Sequence, residues 1–111
     1  MTLSEYQEHV SKTYRGESYD RLVASLAEEL GEIAQVIKGI RNEGFTPRLE
    51  SALILELGDL IRYAVMLAVR AQIPIDEIIT SNTKKIEARY PKCFRTDVHN
   101  QKQEIADIVT N

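Results

Sequence analysis

Apolar residues recur every three or four positions along most of this chain, a spacing typical of α-helices rather than of strands. No run alternates between apolar and polar residues for long enough to indicate a β-strand. The fold class is therefore predicted to be all-α, an antiparallel helical bundle, because short connections place consecutive helices side by side. The predicted helices cover residues 3–14, 19–41, 47–72 and 75–89, and a further short helix is expected at 101–109.

Local signals mark where these helices begin and end. Thr2 and Glu5 have the T-x-x-E spacing of a capping box, in which each side chain accepts a hydrogen bond from the other residue's backbone N–H. Ser18 and Thr46 directly precede the second and third helices and are candidate N-caps. Gly16 is expected to end the first helix, because glycine is a poor helix former.

Two nearly identical acidic motifs lie inside the apolar stretches of the second and third helices, "ELGE" at 29–32 and "ELGD" at 56–59. Residues three apart share one face of a helix, so each motif presents two carboxylates together. By the same register Glu29 and Glu56 belong to the core-facing stripes, whereas Glu32 and Asp59 lie at the edges of those stripes. If the two stripes face each other, four carboxylates converge.

Converging carboxylates are unfavourable unless a cation joins them. In a partly desolvated site like charges raise one another's pKa, but Mg²⁺ and Mn²⁺ prefer such oxygen ligands. Gly31 and Gly58 each cost about 1 kcal/mol relative to alanine in a helix, which is tolerable if the helices or a ligand approach closely there. The alternative is a solvated acidic face, the usual meaning of a single E-x-x-E.

The motifs resemble a known family at this point. "EELGEIAQVIKGI", "ILELGDLIRYAVMLA" and "NTKKIEARYPKCF" are similar, in order and spacing, to the three motifs of MazG-like nucleotide pyrophosphohydrolases of the all-α NTP pyrophosphatase superfamily. The resemblance covers residues 3–94. It implies Mg²⁺-dependent hydrolysis of a (d)NTP to the (d)NMP and pyrophosphate, in house-cleaning or regulation of the nucleotide pool. A catalytic domain is accordingly expected over 1–95, and the polar composition of 96–111 predicts a C-terminal tail.

The resemblance assigns roles residue by residue. The residues that it implies as metal ligands are Glu29, Glu32, Glu56 and Asp59. Glu28 matches the same acidic run and is implied in catalysis, but it lies off the metal-facing side of its helix. An activating role outside the metal's own ligands and plain exposure both stay open for Glu28.

Four further positions match residues that contact the nucleotide in the family. They are Tyr63, Asn82, Lys85 and Arg89. Tyr63 is equally consistent with an amphipathic tyrosine of the core, and Lys85 taken alone would be a solvated surface lysine. The sequence departs from many relatives at Leu55, where they have an acid, and at Arg62, where they have an aromatic. Arg62 is expected either to reach a phosphate or to flank the bundle.

The charge balance limits the partners. A formal net charge of −3 argues against a nucleic-acid polymer or an anionic membrane as the main partner. No apolar run approaches the ~20 residues needed to span a bilayer, and the single cysteine, Cys93, cannot form an intrachain disulfide. These features predict a cytoplasmic location. The rival hypothesis to an enzyme is a non-catalytic helical module for oligomerisation or nucleotide sensing.

The third helix also predicts an oligomer, because apolar residues surround it. Leu55, Leu57 and Ile61 cannot share one small core with the rest of that helix, and a helix that is apolar on every side is normally buried on every side. We therefore expect a homodimer, or a homotetramer built as a dimer of dimers. Leu55 is then a packing residue near the contact between subunits.

Overall fold

The computed structural model describes residues 1–93, and within that range it contains helices and no strand. The all-α prediction is therefore confirmed. The further helix expected at 101–109 and the tail from residue 96 lie outside the described residues. The helices are α1 (Leu3–Ser11), α2 (Tyr19–Glu43), α3 (Pro47–Ala71) and α4 (Ile75–Arg89), followed by a short 3₁₀ turn, Pro91–Cys93.

The predicted caps are confirmed at all three helix starts. The Thr2 hydroxyl accepts the Glu5 N–H at 3.1 Å, and the Glu5 carboxylate accepts the Thr2 N–H at 3.0 Å. Ser18 accepts a backbone N–H of the first turn of α2 at 3.2 Å, and Thr46 does the same for α3 at 3.3 Å. Each bond satisfies an amide that has no carbonyl partner within its helix, which stabilises the helix by about 1 kcal/mol.

The first helix is shorter than the sequence predicts. It ends at Ser11 rather than near residue 14, so Gly16 lies in the connecting loop, where its φ is +82°. The Ser11 hydroxyl donates to the Glu8 carbonyl at 2.6 Å, and the Thr13 hydroxyl donates to the Val10 carbonyl at 2.9 Å. These side chains compete for the carbonyls of the last helical turn, and such competition favours termination.

Contacts within the chain group the residues into two units, Met1–Ile75 and Asp76–Asn111. In the first unit α2 and α3 are antiparallel neighbours. Near the turn that joins them, a Cβ added to Gly39 would lie 2.9 Å from a Leu49 methyl, and at the far end Arg70 stacks 4.7 Å above the Tyr19 ring. The second unit contains α4 beyond its first residue. The domain boundary expected at residue 95 stays a prediction.

The core of the first unit forms where α1 packs on α3. The apolar spacing in α3 predicts that Ala64 belongs to one core-facing stripe with Leu49, Leu53, Leu60 and Leu67. Ala64 is exposed, however, whereas its neighbours Val65 and Met66 are buried. The reason is that α1 covers a second side of α3 in its C-terminal half. The buried cluster consists of Val10, Leu22, Val65, Met66 and Ile75.

Candidate functional site

Three of the predicted acids meet at the middle of the α2–α3 pair. One carboxylate oxygen from each of Glu29, Glu32 and Glu56 lies within 4.8 Å of the other two. Glu29 and Glu56 are half-buried and Glu32 is exposed, as the helical register indicates. The antiparallel pairing produces this cluster, because it sets the midpoints of the two helices side by side.

The cluster strongly affects its own ionisation. Hydrogen bonding to the Glu32 carboxyl, followed by burial and by the neighbouring Glu29, raises the pKa of Glu56 to about 7. Burial is the largest cause that raises the pKa of Glu29, and the charges of Glu32 and Asp59 add to it. The metal-free cluster therefore tends to hold a proton near neutral pH.

Two oxygens of this cluster have no partner among the described residues. Glu29 Oε2 and Glu56 Oε2 are shielded from solvent, and neither accepts a hydrogen bond. Buried acceptors normally have a donor, and leaving one without costs free energy. Because ionised carboxylate oxygens are hard metal ligands, the residues present fit a divalent cation of the Mg²⁺ or Mn²⁺ type.

The remaining two acids stand apart from this trio. Asp59 is exposed and is not part of the group within 4.8 Å, although its charge still raises the pKa of Glu29. Glu28 is also exposed and outside the group. The structure therefore brings together three of the four predicted ligands, and the ligand roles themselves stay predictions.

A cavity of about 480 Å³ lies between the loop before α2, the N-terminal part of α2 and α3. Ser25 on its wall is one helical turn before Glu29, and Tyr63 is one turn after Asp59. Tyr63 also packs against the buried core, so its two sequence interpretations are compatible. The lining residues are Arg15, Gly16, Glu17, Arg21, Leu22, Ser25 and Tyr63.

Sequence reasoning missed most of this lining. The spacing of Ser25 from Glu29 was a usable signal, because residues four apart share a helix face. Arg15 lies in the loop after α1, where helical periodicity says nothing about direction. Its guanidinium donates to the Lys12 carbonyl at 3.0 Å, which folds the side chain back toward the end of α1.

The other candidate residues have different surroundings. Asn82, Lys85 and Arg89 are exposed on α4, in the second unit, and their predicted contact with a nucleotide is untested. Arg62 donates a hydrogen bond to the Thr13 hydroxyl. Arg62 therefore lies against the end of α1, and its reach to a phosphate stays a prediction.

The glycines of the two acidic motifs are not needed for close helix packing within the described residues. A Cβ added to Gly31 or Gly58 would meet nothing within 4 Å. The expectation that they let α2 and α3 approach each other is therefore wrong. Close approach by a ligand or by a second chain would still account for them.

Comparison with known proteins supports the family resemblance. A family model described as the MazG nucleotide pyrophosphohydrolase domain matches residues 17–94. This match spans most of the chain and includes both acidic motifs, so the protein belongs to the MazG family. Searches of curated proteins and of solved structures gave no significant match. Along residues 1–93, each helix is too short or too polar to cross a membrane.

Proposed function

We propose that this protein is a divalent-metal-dependent nucleoside triphosphate pyrophosphohydrolase. It would convert a (d)NTP to the (d)NMP and pyrophosphate and so cleanse or regulate the nucleotide pool. The observation that carries this proposal is the trio Glu29, Glu32 and Glu56, whose oxygens lie within 4.8 Å and include two buried acceptors without a donor. Membership of the MazG family supplies the reaction class.

In this proposal the trio, with Asp59 beside it, holds Mg²⁺, and Mn²⁺ can substitute. A bound divalent cation neutralises phosphate charge and lowers the pKa of the attacking water. Glu29 and Glu56 must lose any bound proton before they can serve as ligands, since metals bind the ionised form. Glu32, at the exposed edge, or Glu28 beside it accepts a hydrogen bond from the water and orients it.

The cavity that contains Ser25 and Tyr63 is proposed to hold the nucleoside. Because these two residues are one helical turn from Glu29 and Asp59, the phosphates would lie at the carboxylates and the base between Tyr63 and the loop before α2. Tyr63 offers a ring for stacking, while Arg15 and Arg21 offer hydrogen-bond donors. Asn82, Lys85 and Arg89 of α4 are proposed as further contacts to the sugar or the phosphates.

The enzyme is also proposed to act as a homodimer or a dimer of dimers. α1 covers only the C-terminal half of the outer side of α3, and the N-terminal half exposes large apolar side chains, with Ile54 62% and Leu55 69% accessible. On α2 an exposed apolar stripe also passes beside Gly31. Its members are Val23, Ala27, Leu30 and Ala34.

A substrate panel tests the proposed function. Standard and modified (d)NTPs are incubated with the protein and Mg²⁺, with EDTA as the control, and the products are separated by anion-exchange chromatography. Monophosphate plus pyrophosphate, formed only with metal, is the expected result. Diphosphate plus orthophosphate would place the cleavage at the wrong bond, and nucleotide binding without turnover would favour a sensing module.

A further inference from the structure

Arg62 connects α3 to the loop between α1 and α2. Its guanidinium donates a hydrogen bond to the Thr13 hydroxyl, which lies 49 positions earlier in the chain. The Thr13 hydroxyl in turn donates its own proton to the Val10 carbonyl at 2.9 Å. A hydroxyl has one proton to donate and lone pairs to accept with, so both bonds can form at once. Together they hold the Thr13 side chain between the end of α1 and α3.

The backbone at Thr13 determines where a second arginine lies. The peptide group between Lys12 and Thr13 is planar, and its N–H donates to the Val10 carbonyl at 3.0 Å. The carbonyl of the same peptide group accepts a hydrogen bond from the Arg15 guanidinium at 3.0 Å. Arg15 lines the cavity of about 480 Å³. Contacts therefore run from Arg62 through Thr13 and its peptide group to an arginine on the cavity wall.

The rest of the loop is bonded within itself. The Arg15 N–H donates to the Glu17 carboxylate at 2.7 Å, and the Tyr14 hydroxyl donates to the Glu17 carbonyl at 3.1 Å. These two bonds shape the loop but do not attach it to α3. The bond from Arg62 does attach it, and the next residue of α3, Tyr63, lines the same cavity as Arg15 and Glu17.

We propose that Arg62 is a positioning residue for Arg15. By holding Thr13, Arg62 keeps the Arg15 guanidinium at the cavity, where its other N–H groups are available to a nucleoside. Arg62 itself stays bonded to Thr13 and contacts no part of the substrate. This inference rests on the proposed function in one respect, namely that the cavity holds the nucleoside of the substrate.

Hydrogen exchange tests whether Arg62 holds the loop. Arg62→Met removes the donor, and Arg48→Met, at an exposed arginine of the same helix, is the matched control. The amides of Thr13, Tyr14 and Arg15 are hydrogen-bonded at the loop. Their exchange should quicken about fivefold in Arg62→Met, with α2 and α3 unchanged. Thr13→Val should have the same effect, whereas Thr13→Ser, which keeps the hydroxyl, should behave as wild type.

Kinetics test whether Arg62 acts through Arg15. Arg62→Met should raise the KM for the nucleotide about fivefold with kcat within about twofold, as expected when a binding contact is weakened. Arg15→Met should raise the KM at least as much. The double variant should be no worse than Arg15→Met alone, because Arg62 has no route to the substrate except Arg15. Effects that multiply in the double variant would indicate direct contact between Arg62 and the substrate and would overturn the proposal.

The outcome can be told apart from a failure of the proposed function. If the wild-type protein hydrolyses no nucleotide, the enzyme proposal falls, and the link from Arg62 to substrate falls with it. Hydrogen exchange still decides, independently of activity, whether Arg62 holds the loop. Unchanged exchange at Arg15 in Arg62→Met would overturn the proposal, and so would faster exchange there with an unchanged KM. Uniformly faster exchange across all helices would indicate lost folding stability and would also overturn it.

Discussion

Among single residues, Glu56 has the most unusual environment, since its carboxylate is half-buried against those of Glu29 and Glu32. Glu56→Gln should lower the metal-dependent hydrolysis rate by at least about a hundredfold, because it removes ligand charge at nearly constant shape. Steady-state kinetics with saturating Mg²⁺ would measure this. Glu50→Gln, at an exposed position of the same helix, should retain wild-type activity, and full activity in Glu56→Gln would exclude Glu56 as an essential ligand.

The raised pKa of Glu56 predicts how stability depends on pH. Its pKa rises from 4.5 to about 7 in the fold, so the metal-free native state binds more protons than the unfolded state between these pH values. Stability linked to Glu56 is therefore present below about pH 4.5 and is lost as pH rises toward 7. Thermal melts in EDTA should show that Glu56→Gln weakens this decline. An identical pH profile in both proteins would contradict the prediction.

Metal binding should offset the repulsion among the carboxylates of Glu29, Glu32 and Glu56. Mg²⁺ that binds only the native state raises the melting temperature by mass action. The wild-type protein should therefore melt higher with Mg²⁺ than with EDTA, whereas Glu56→Gln should show little difference. Without metal, Glu56→Gln should be as stable as wild type or more stable, because it relieves repulsion within the trio. A wild-type melting curve that does not respond to Mg²⁺ would count against a metal site.

At the level of the helices, most boundaries could be predicted because capping and proline chemistry is local. Thr46 caps α3 directly before Pro47, and α4 begins and ends where expected. The end of α1 could not be predicted, since it depends on where the Ser11 and Thr13 hydroxyls turn. The burial of Val65 and Met66 in place of Ala64 depends on how α1 packs, which periodicity within α3 does not contain.

The candidate site could likewise be predicted from the sequence only in part. The pairing of Glu29 with Glu32 followed from helical spacing alone, whereas the inclusion of Glu56 required the two helices to be antiparallel and in register. Asp59 shares a helix face with Glu56 but lies outside the trio, a separation that spacing cannot resolve. The side chain of Gln7 forms hydrogen bonds with the Ile73 carbonyl and the Ile75 N–H. These partners are 66 and 68 positions away, so no local pattern predicts the bonds.

The C-terminus of α3 offers a stability prediction. Gln72 adopts φ 59° at the cap, a position that glycine occupies without strain. Gln72→Gly should raise the free energy of unfolding by about 1 kcal/mol by removing the unfavourable Cβ contact. Ala71→Gly, one residue earlier and inside the helix, should lower it by about 1 kcal/mol. Urea unfolding measures both, and equal effects of the two glycines would contradict this account of the cap.

For the whole molecule, the exposed apolar residues of α2 and α3 predict self-association. Sedimentation at micromolar concentration should give a dimer or tetramer rather than a 12.6 kDa particle.

Gly31→Ala and Gly58→Ala test whether this self-association involves the two glycines. In an isolated chain each should stabilise by about 1 kcal/mol, because the added Cβ meets nothing within 4 Å. In an oligomer packed against these glycines, both should weaken association, and a monomeric wild type would exclude the interface.

The central claim is that Glu29, Glu32 and Glu56 form a divalent-cation site, and calorimetric titration of Mg²⁺ into metal-free protein tests it most directly. At pH 8, above the pKa of about 7 for Glu56, the wild type and Glu50→Gln should bind Mg²⁺ with equal affinity. Glu56→Gln should bind at least about tenfold more weakly, because a ligand charge is lost. No binding by the wild type, or equal binding by all three proteins, would contradict the claim.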